Sequence, residues 1–263
     1  MLPQRIREEA HPSGLSSYVI GSLLVAFIVG LCLWTFVVHW VVVVPQLLQL
    51  GLLPAILITG FHHFLHCSLL LSLYKAVVTD PGYITTPAAC RSSERDTFQQ
   101  DFCTKCSSQR PQRAHHCSTC HRCVRKMDHH CLFVNNCVGQ GNYKYFLLLL
   151  FYTIVGGAYN AFCDYMCIMW TDGSLDEFSR NMALANAVAI CMISLILLPL
   201  FMIHMYLISR DTTTLEALKG ETGKYSTGHT LRNFKKVLGN VCWLWFSPLH
   251  PSSTIESVDI CSS

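Results

Sequence analysis

Sixty-five consecutive residues, from Ala10 to Tyr74, contain no Asp, Glu, Lys or Arg. No soluble core of a chain this size can hide so long an uncharged stretch, whereas a bilayer-spanning helix asks for ~20 apolar residues and two such helices fit inside it. A second uncharged run covers Asn181 to Ser209 and a shorter one Tyr145 to Cys163. Composition agrees: 51% of the residues are hydrophobic and only 13% charged, about half of the roughly 25% usual for soluble domains. Disorder, collagen-like structure and a small disulfide-stapled secreted domain are excluded. The sequence predicts an all-α polytopic membrane protein.

Punctuation within the runs divides them into four spans. Residues 17–44 read as the first, ended by Pro45, Gly51 and Pro54, and 52–74 as the second. Residues 146–170, carrying Asp164, form the third and 182–209 the fourth, with Pro199 tolerated inside it. Four spans place residues 1–16, the loop 75–145 and the tail 210–263 on one side. Of the 19 Lys and Arg residues, 2 precede the first span, 10 lie in the 75–145 loop and 6 follow Ser209. Only Arg180 falls in a far-side loop, so the positive-inside rule puts both termini and the central loop in the cytosol. The net charge of +3 is thereby a topology marker, with no nucleic-acid partner implied. The opening Met1-Leu2-Pro3-Gln4-Arg5 followed by a long apolar run reads as a signal anchor. Cys261 stands one place short of a prenylation box, and no Gly follows Met1 for myristoylation.

Seven of the 15 cysteines crowd between Cys103 and Cys137. In a reducing cytosol such a cluster points to metal binding or catalysis rather than disulfides. Cys103-x-x-Cys106 and Cys117-x-x-Cys120-x-x-Cys123 have the spacing by which a tight turn aims two sulfurs at one tetrahedral Zn²⁺. Cys131 and Cys137 follow, and His115, His116, His121, His129 and His130 are interleaved. Two closed sites use eight of these twelve donors and leave four. The stretch Asp128-His129-His130-Cys131 holds a carboxylate, an imidazole and a thiol within four residues, the inventory of an activated cysteine nucleophile. A free thiol, with a pKa near ~8.5, gains thiolate character beside an imidazolium, and Arg125 and Lys126 push the same way. Sequence proximity alone leaves open the reading in which all of these are ligands or surface groups.

At these residues the chain resembles the DHHC family of protein S-acyltransferases (palmitoyltransferases). The resemblance runs from Lys75 to Pro248. It rests on Cys103, Cys106, His116, Cys117, Cys120, Cys123, Asp128, His129, His130, Cys131 and Cys137, with Asp80-Pro81-Gly82, Asn142 and Phe146, Thr213-Thr214-Leu215-Glu216, and Asn233 with Val237 and Gly239 as further matches. It implies a cytosolic cysteine-rich zinc-binding domain between the second and third spans, with two structural Zn²⁺. Cys103, Cys106, His116 and Cys123 would hold one ion; Cys117, Cys120, His130 and Cys137 the other. Cys131 is then left as the nucleophile, His129 as the general base and Asp128 as its orienting group. Acyl-CoA (palmitoyl-CoA) is the implied co-substrate, and the partners are the lipid bilayer and proteins bearing membrane-proximal cytosolic cysteines. The implied home is an endomembrane (Golgi or endoplasmic reticulum) or the plasma membrane. One departure stands out: Leu132-Phe133 replaces the family's usual Pro-Trp, which alters contact of Phe133 with the acyl chain.

Other residues carry two readings. Arg110, Arg113, Arg125 and Lys126 meet CoA phosphates or serve as topology charges. Thr213 to Glu216 has the form of a capping box, which the resemblance also packs against the catalytic region together with Thr214. Asp80-Pro81-Gly82 reads as a turn, and Asn233 as a group satisfying backbone near a helix end. His62, His63 and His66 lie mid-span, where polar groups draw functional suspicion; bundle-interior hydrogen bonding is the simpler reading and haem ligation by His62 and His66 the alternative. A membrane-anchored zinc adaptor or ubiquitin-ligase-like module also uses eight ligands, but leaves Cys131 without purpose.

Overall fold

A computed structural model describes residues 12–84, 102–171 and 175–250. The expectations for the extreme N-terminus and for Cys261 lie outside the described residues. Among the described residues, four helical stretches are long and apolar enough to cross a membrane: Ser16–Leu50, Leu52–Val78, Tyr143–Trp170 and Glu177–Ser209.

The first stretch extends beyond the sequence expectation. Helix α1 (Pro12–Val38) passes through a π-helical turn, His39–Val43, into α2 (Val44–Leu50). Pro45 therefore does not end the helix. It stands at the start of α2, directly after the π turn, whose widened backbone makes room for the ring and accommodates the missing N–H. The break falls at Gly51, whose φ of 123° suits only glycine. Helix α3 (Leu52–Val78) then returns, and α4 (Tyr143–Trp170) and α5 (Glu177–Ser209) complete the four. Asp176 caps α5, accepting from the Ser179 N–H at 3.0 Å.

Polar groups inside the helices find one another. His39 stacks on His62 with ring centroids 3.8 Å apart, and His62 stacks on His66. The rings lie upon each other rather than facing across a gap as haem ligands do. Asn186 on α5 donates to Asp164 on α4 at 2.7 Å.

Among the described residues between α3 and α4 none is helical. Six strands of two or three residues form three antiparallel hairpins: β1–β2 (Phe102–Cys103, Ser108–Gln109), β3–β4 (His115–Cys117, Arg122–Val124) and β5–β6 (His129–Cys131, Asn136–Val138). The expectation of an all-α fold is corrected to a mostly helical one. A tight hairpin turn lets both cysteines of a Cys-x-x-Cys pair aim at one point, while the flanking strands send successive side chains to alternate sides, as a helix does not.

Asparagines tie this module to the helix ends. The Asn136 amide donates to the carbonyls of Ala76, Val77 and Thr79 at 3.3, 3.1 and 3.0 Å. Asn142 donates to Ala76 O and Cys137 O at 3.2 and 2.8 Å. They satisfy the orphan carbonyls at the C-terminus of α3. The Asp80 carboxylate accepts from the Gly82 and Tyr83 N–H groups, both at 2.8 Å, and makes the turn that leads in.

Helices α4 and α5 approach closely at Gly157. A Cβ there would overlap the Ser194 hydroxyl and lie 2.7 Å from Ile190 Cγ2, whereas one at Gly156 would meet only Leu65 Cβ at 3.8 Å. Gly157→Ala is expected to cost about 1–3 kcal/mol, read as a lower midpoint of thermal unfolding in detergent. Gly156→Ala serves as the near-neutral control.

Candidate active site and metal-ligand clusters

The period of two along a strand sorts the donors. In β3–β4, His116 stands opposite Cys123, and in β5–β6, His130 stands opposite Cys137. Each hairpin thus gives one His–Cys pair to one cluster. Cys117, the neighbour of His116, points to the other face and joins Cys120 in the second cluster. Four donor atoms of Cys103, Cys106, His116 and Cys123 lie within 4.8 Å of one another, and so do those of Cys117, Cys120, His130 and Cys137. Zn–S bonds of about 2.3 Å and Zn–N bonds of about 2.0–2.1 Å require edges of about 3.5–3.8 Å in a tetrahedron. The first cluster has Cys103 Sγ–His116 Nδ1 at 3.6 Å, Cys106 Sγ–His116 Nδ1 at 3.1 Å and Cys123 Sγ–Cys106 Sγ at 3.6 Å. The second has Cys117 Sγ–His130 Nδ1 at 3.7 Å, Cys120 Sγ–His130 Nδ1 at 3.4 Å and Cys137 Sγ–Cys120 Sγ at 3.4 Å. Both donor sets fit a tetrahedral zinc ion. His121 and Ser107 each follow the second cysteine of a pair with φ of 53° and 51°, so His121 is a turn residue.

On β5 the same alternation separates neighbours. His130 faces the second cluster, while His129 and Cys131 share the opposite face. The His129 Nδ1–H donates to Asp128 Oδ2 at 2.8 Å, which leaves Nε2 on the side of the thiol. Asp128 is buried and held in turn by Thr214, through its N–H to Oδ1 at 2.8 Å and its hydroxyl to Oδ2 at 2.7 Å. Burial opposes charge on His129, but Asp128 and the neighbouring Cys131 outweigh it and push the imidazole up to about 9. Burial also raises the Cys131 thiol; the imidazolium of His129 and the N–H groups of Val134 and Phe133 bring it below its ordinary value. Both shifts favour the thiolate–imidazolium form of the pair. Phe146 sets its edge against the His129 ring, centroids 5.1 Å apart, and Cys131 is buried among Leu73, Val134, Phe146 and Leu149. Leu132 and Phe133 beside it are exposed, Phe133 by 58%.

Thr214 opens helix α6 (Thr214–Leu218). Thr213 caps it, accepting from the Glu216 N–H, while Glu216 accepts from the Thr213 N–H at 2.9 Å: a complete capping box. Glu216 is buried and serves a second partner. Arg113 donates to its two oxygens from Nε and Nη2 at 2.6 and 2.8 Å, and reaches Asp211 Oδ1 from Nη1 at 2.9 Å. Asp211 also takes Lys126 at 2.7 Å, and Lys236 of helix α7 (Thr230–Leu238). Arg113 and Lys126, two of the four candidates for CoA phosphates, are thus turned inward onto carboxylates. Asn233 on α7 donates to Ser209 O at 2.8 Å and ties that helix to the end of α5. Asp211 and Lys236 carried no motif, and no signal in the sequence marked them.

A cysteine, a histidine and a carboxylate in series, beside two donor clusters that could hold metal ions and close to the ends of apolar helices, are the groups a thiol-dependent transfer would use. Residues 96–221 match the family model described as DHHC palmitoyltransferase. The chain is 34% identical over 261 residues to the probable protein S-acyltransferase 13 of Arabidopsis thaliana, covering 88% of this chain and 85% of that one. The probable protein S-acyltransferase 12 of the same organism is likewise 34% identical, over 264 residues that cover 90% and 88%. Palmitoyltransferase ZDHHC2 of Homo sapiens is 37% identical over 159 residues, covering 57% of this chain and 43% of that one. The chain belongs to the DHHC palmitoyltransferase family.

Asp211 supports three cations from a side chain only 2% exposed. Burial raises its carboxyl, but Lys126, Lys236 and Arg113 outweigh burial and hold it below the usual carboxylate range. A depressed folded value gives stability that is present above the ordinary Asp value of about 3.9 and is lost as pH falls through the folded one. Asp211→Asn leaves Arg113 and Lys126 facing each other and is expected to cost about 3–5 kcal/mol. Thermal unfolding of both proteins from pH 7 to pH 3 checks this: the wild type converges on the variant at the acid end.

Proposed function

We propose that Cys131 is the nucleophile through which this DHHC-family protein S-acyltransferase moves a long-chain acyl group from acyl-CoA to cysteines of other proteins. The observation that carries the reading is the segregation on β5, where His129 and Cys131 face away from both donor clusters while His130 faces into one. The Cys131 thiolate attacks the thioester carbonyl, the carbon–sulfur bond to CoA breaks, and the departing thiolate takes the proton of His129. The substrate cysteine then gives its proton to His129 and attacks the acyl-enzyme thioester, and Cys131 leaves again as thiolate. One thioester replaces another in each half-reaction. The chain's task is thus position and proton control, typically worth ~10²–10⁴-fold for a placed acid–base group. Asp128, fixed by Thr214, keeps His129 in the tautomer with Nε2 towards sulfur.

Zn²⁺ is the metal we assign to the two clusters, as a structural ion: four protein donors leave no open position for a reactive water. Cys103, Cys106, His116 and Cys123 would hold one ion, and Cys117, Cys120, His130 and Cys137 the other. The four spans sit in the bilayer with both termini and the cysteine-rich module in the cytosol, as the 18-to-1 distribution of basic residues requires. An acyl chain gains ~0.8 kcal/mol per buried CH₂, so a thiol at the helix ends leaves the chain among the helices and CoA in water. The endomembranes are the setting we assign, and membrane-proximal cytosolic cysteines the acceptors. Phe133, exposed beside the thiol, meets the acyl chain or its lipid surroundings in place of the family's tryptophan.

Two outcomes are expected with purified protein and palmitoyl-CoA. Cys131→Ser abolishes hydroxylamine-labile acylation while the protein keeps two zinc ions per chain by elemental analysis. Label that persists in this variant contradicts the assignment. Thr214→Val, which removes one of the two bonds from Thr214 to Asp128, slows acyl-enzyme formation about 10–100-fold without loss of metal.

A further inference from the structure

Asn135 and Asn136 follow the turn that carries Cys131 and reach in opposite directions. Asn136 takes the carbonyls at the end of α3. The Asn135 amide instead donates to Tyr18 O at 3.2 Å and Ser22 Oγ at 3.1 Å on α1. Asn135 lies in the left-handed region, φ 48°, and its own N–H closes the turn on Leu132 O at 3.1 Å. Contact with α1 is tight. A Cβ on Gly21 would overlap the Asn135 amide, with Cγ 2.6 Å away. The two asparagines therefore suspend Cys131, Leu132 and Phe133 between the ends of the first two spans.

Beyond this contact α1 is thinly packed. Between Gly21 and Val38 only Cys32 is buried, and Leu23, Phe27 and Leu33 are 66%, 61% and 61% exposed. Packing resumes at the far end, where Val38 and Val42 join Cys167 and Ala183. In between, Ile28 rests against the cluster that contains Cys131, Phe146 and Leu149. The first span is thus pinned at both ends, and Ile28 in its thinly packed middle rests on the apolar cluster that includes the thiol.

We propose that Asn135 is a positioning residue for long-chain acyl donors: its latch onto Tyr18, Gly21 and Ser22 holds α1 against the catalytic turn and so builds one wall of the path the chain takes from water into the helices. The inference rests on Cys131 as the acyl acceptor. A short acyl chain meets only the first part of that wall and a long one runs along much more of it, so the latch matters far more when the donor is long. That dependence on the donor is what separates it from a general role in folding.

The test is single-turnover thioester formation on the purified full chain with palmitoyl-CoA and with octanoyl-CoA. Asn135→Gly deletes the amide and keeps the backbone conformation free of strain. Gly21→Ala wedges the same contact from the opposite side. Each is expected to slow reaction with palmitoyl-CoA about tenfold, the worth of one or two hydrogen bonds, and with octanoyl-CoA less than about twofold. The double variant is no slower than either single one, because both break one contact. Should Asn135→Gly fold poorly, Asn135→Asp keeps the shape and loses the donor, and the same shift in the ratio of the two donors is expected. Equal slowing with both donors, or no slowing with palmitoyl-CoA, would overturn the latch while leaving Cys131 as the acceptor. A wild-type protein that forms no thioester with either donor would overturn the mechanism and the latch together.

Discussion

Successive side chains along a β-strand point to opposite faces, and in this protein three residues of strand depend on that alternation. His129, His130 and Cys131 are neighbours in sequence and would compete for the same partners in a loop. As β5 they do not. His130 is committed to a cluster of cysteines, while His129 and Cys131 face the helix ends. The cross-strand partner Cys137 fixes the strand's register, because a slip of one residue would turn Cys131 towards the metal cluster and His130 away from it. On the proposed reading, the zinc ions act on the reaction through this register alone.

The site is nonetheless assembled from distant parts of the chain. Asp128 belongs to the cysteine-rich module, yet its carboxylate is held by Thr214, 86 residues further on. That contact depends on α6 being capped by Thr213 and Glu216, and α6 is drawn to the module by Arg113, which grips Glu216 and Asp211 together. Such buried, bidentate pairs have little stabilising worth against an apolar replacement but are costly to break singly. Their consequence is geometric: His129 receives its orientation from a carboxylate whose own position is set by the segment after the last span. Asn136 and Asn142 do the corresponding work on the other side, anchoring β6 and the start of α4 to the end of α3. On the proposed reading, the height of the thiol at the membrane surface follows from these anchors.

Much of this was legible in the sequence because it is written in residue types with few uses. Uncharged runs specify spans, paired cysteines specify knuckles, and a Thr-x-x-Glu opens a helix. The limits of legibility are equally physical. Pro45 suggested a helix end, but the π turn before it absorbed the ring, and Gly51 supplied the break. Nothing in the sequence pairs His39 with His62, because the two lie on different helices and interhelical pairing leaves no local pattern. Asp211 and Lys236 likewise acquire their roles only through contacts about 100 and 25 residues away. Asn135 differs from Asn136 by one position and serves a different helix, a distinction that composition and spacing do not encode. The short hairpins escaped the all-α expectation because two- and three-residue strands have no hydrophobic periodicity to detect; their only trace was the alternation of metal donors.

The account turns on one sulfur of seven being kept apart from metal. X-ray absorption at the zinc edge, recorded on the wild type and on Cys131→Ala, addresses that directly. Three sulfurs and one nitrogen per zinc, about 2.3 and 2.0–2.1 Å away and identical in the two proteins, is the expected result. A sulfur count that falls when Cys131 is removed would place this thiol in a metal site and contradict its assignment as the nucleophile.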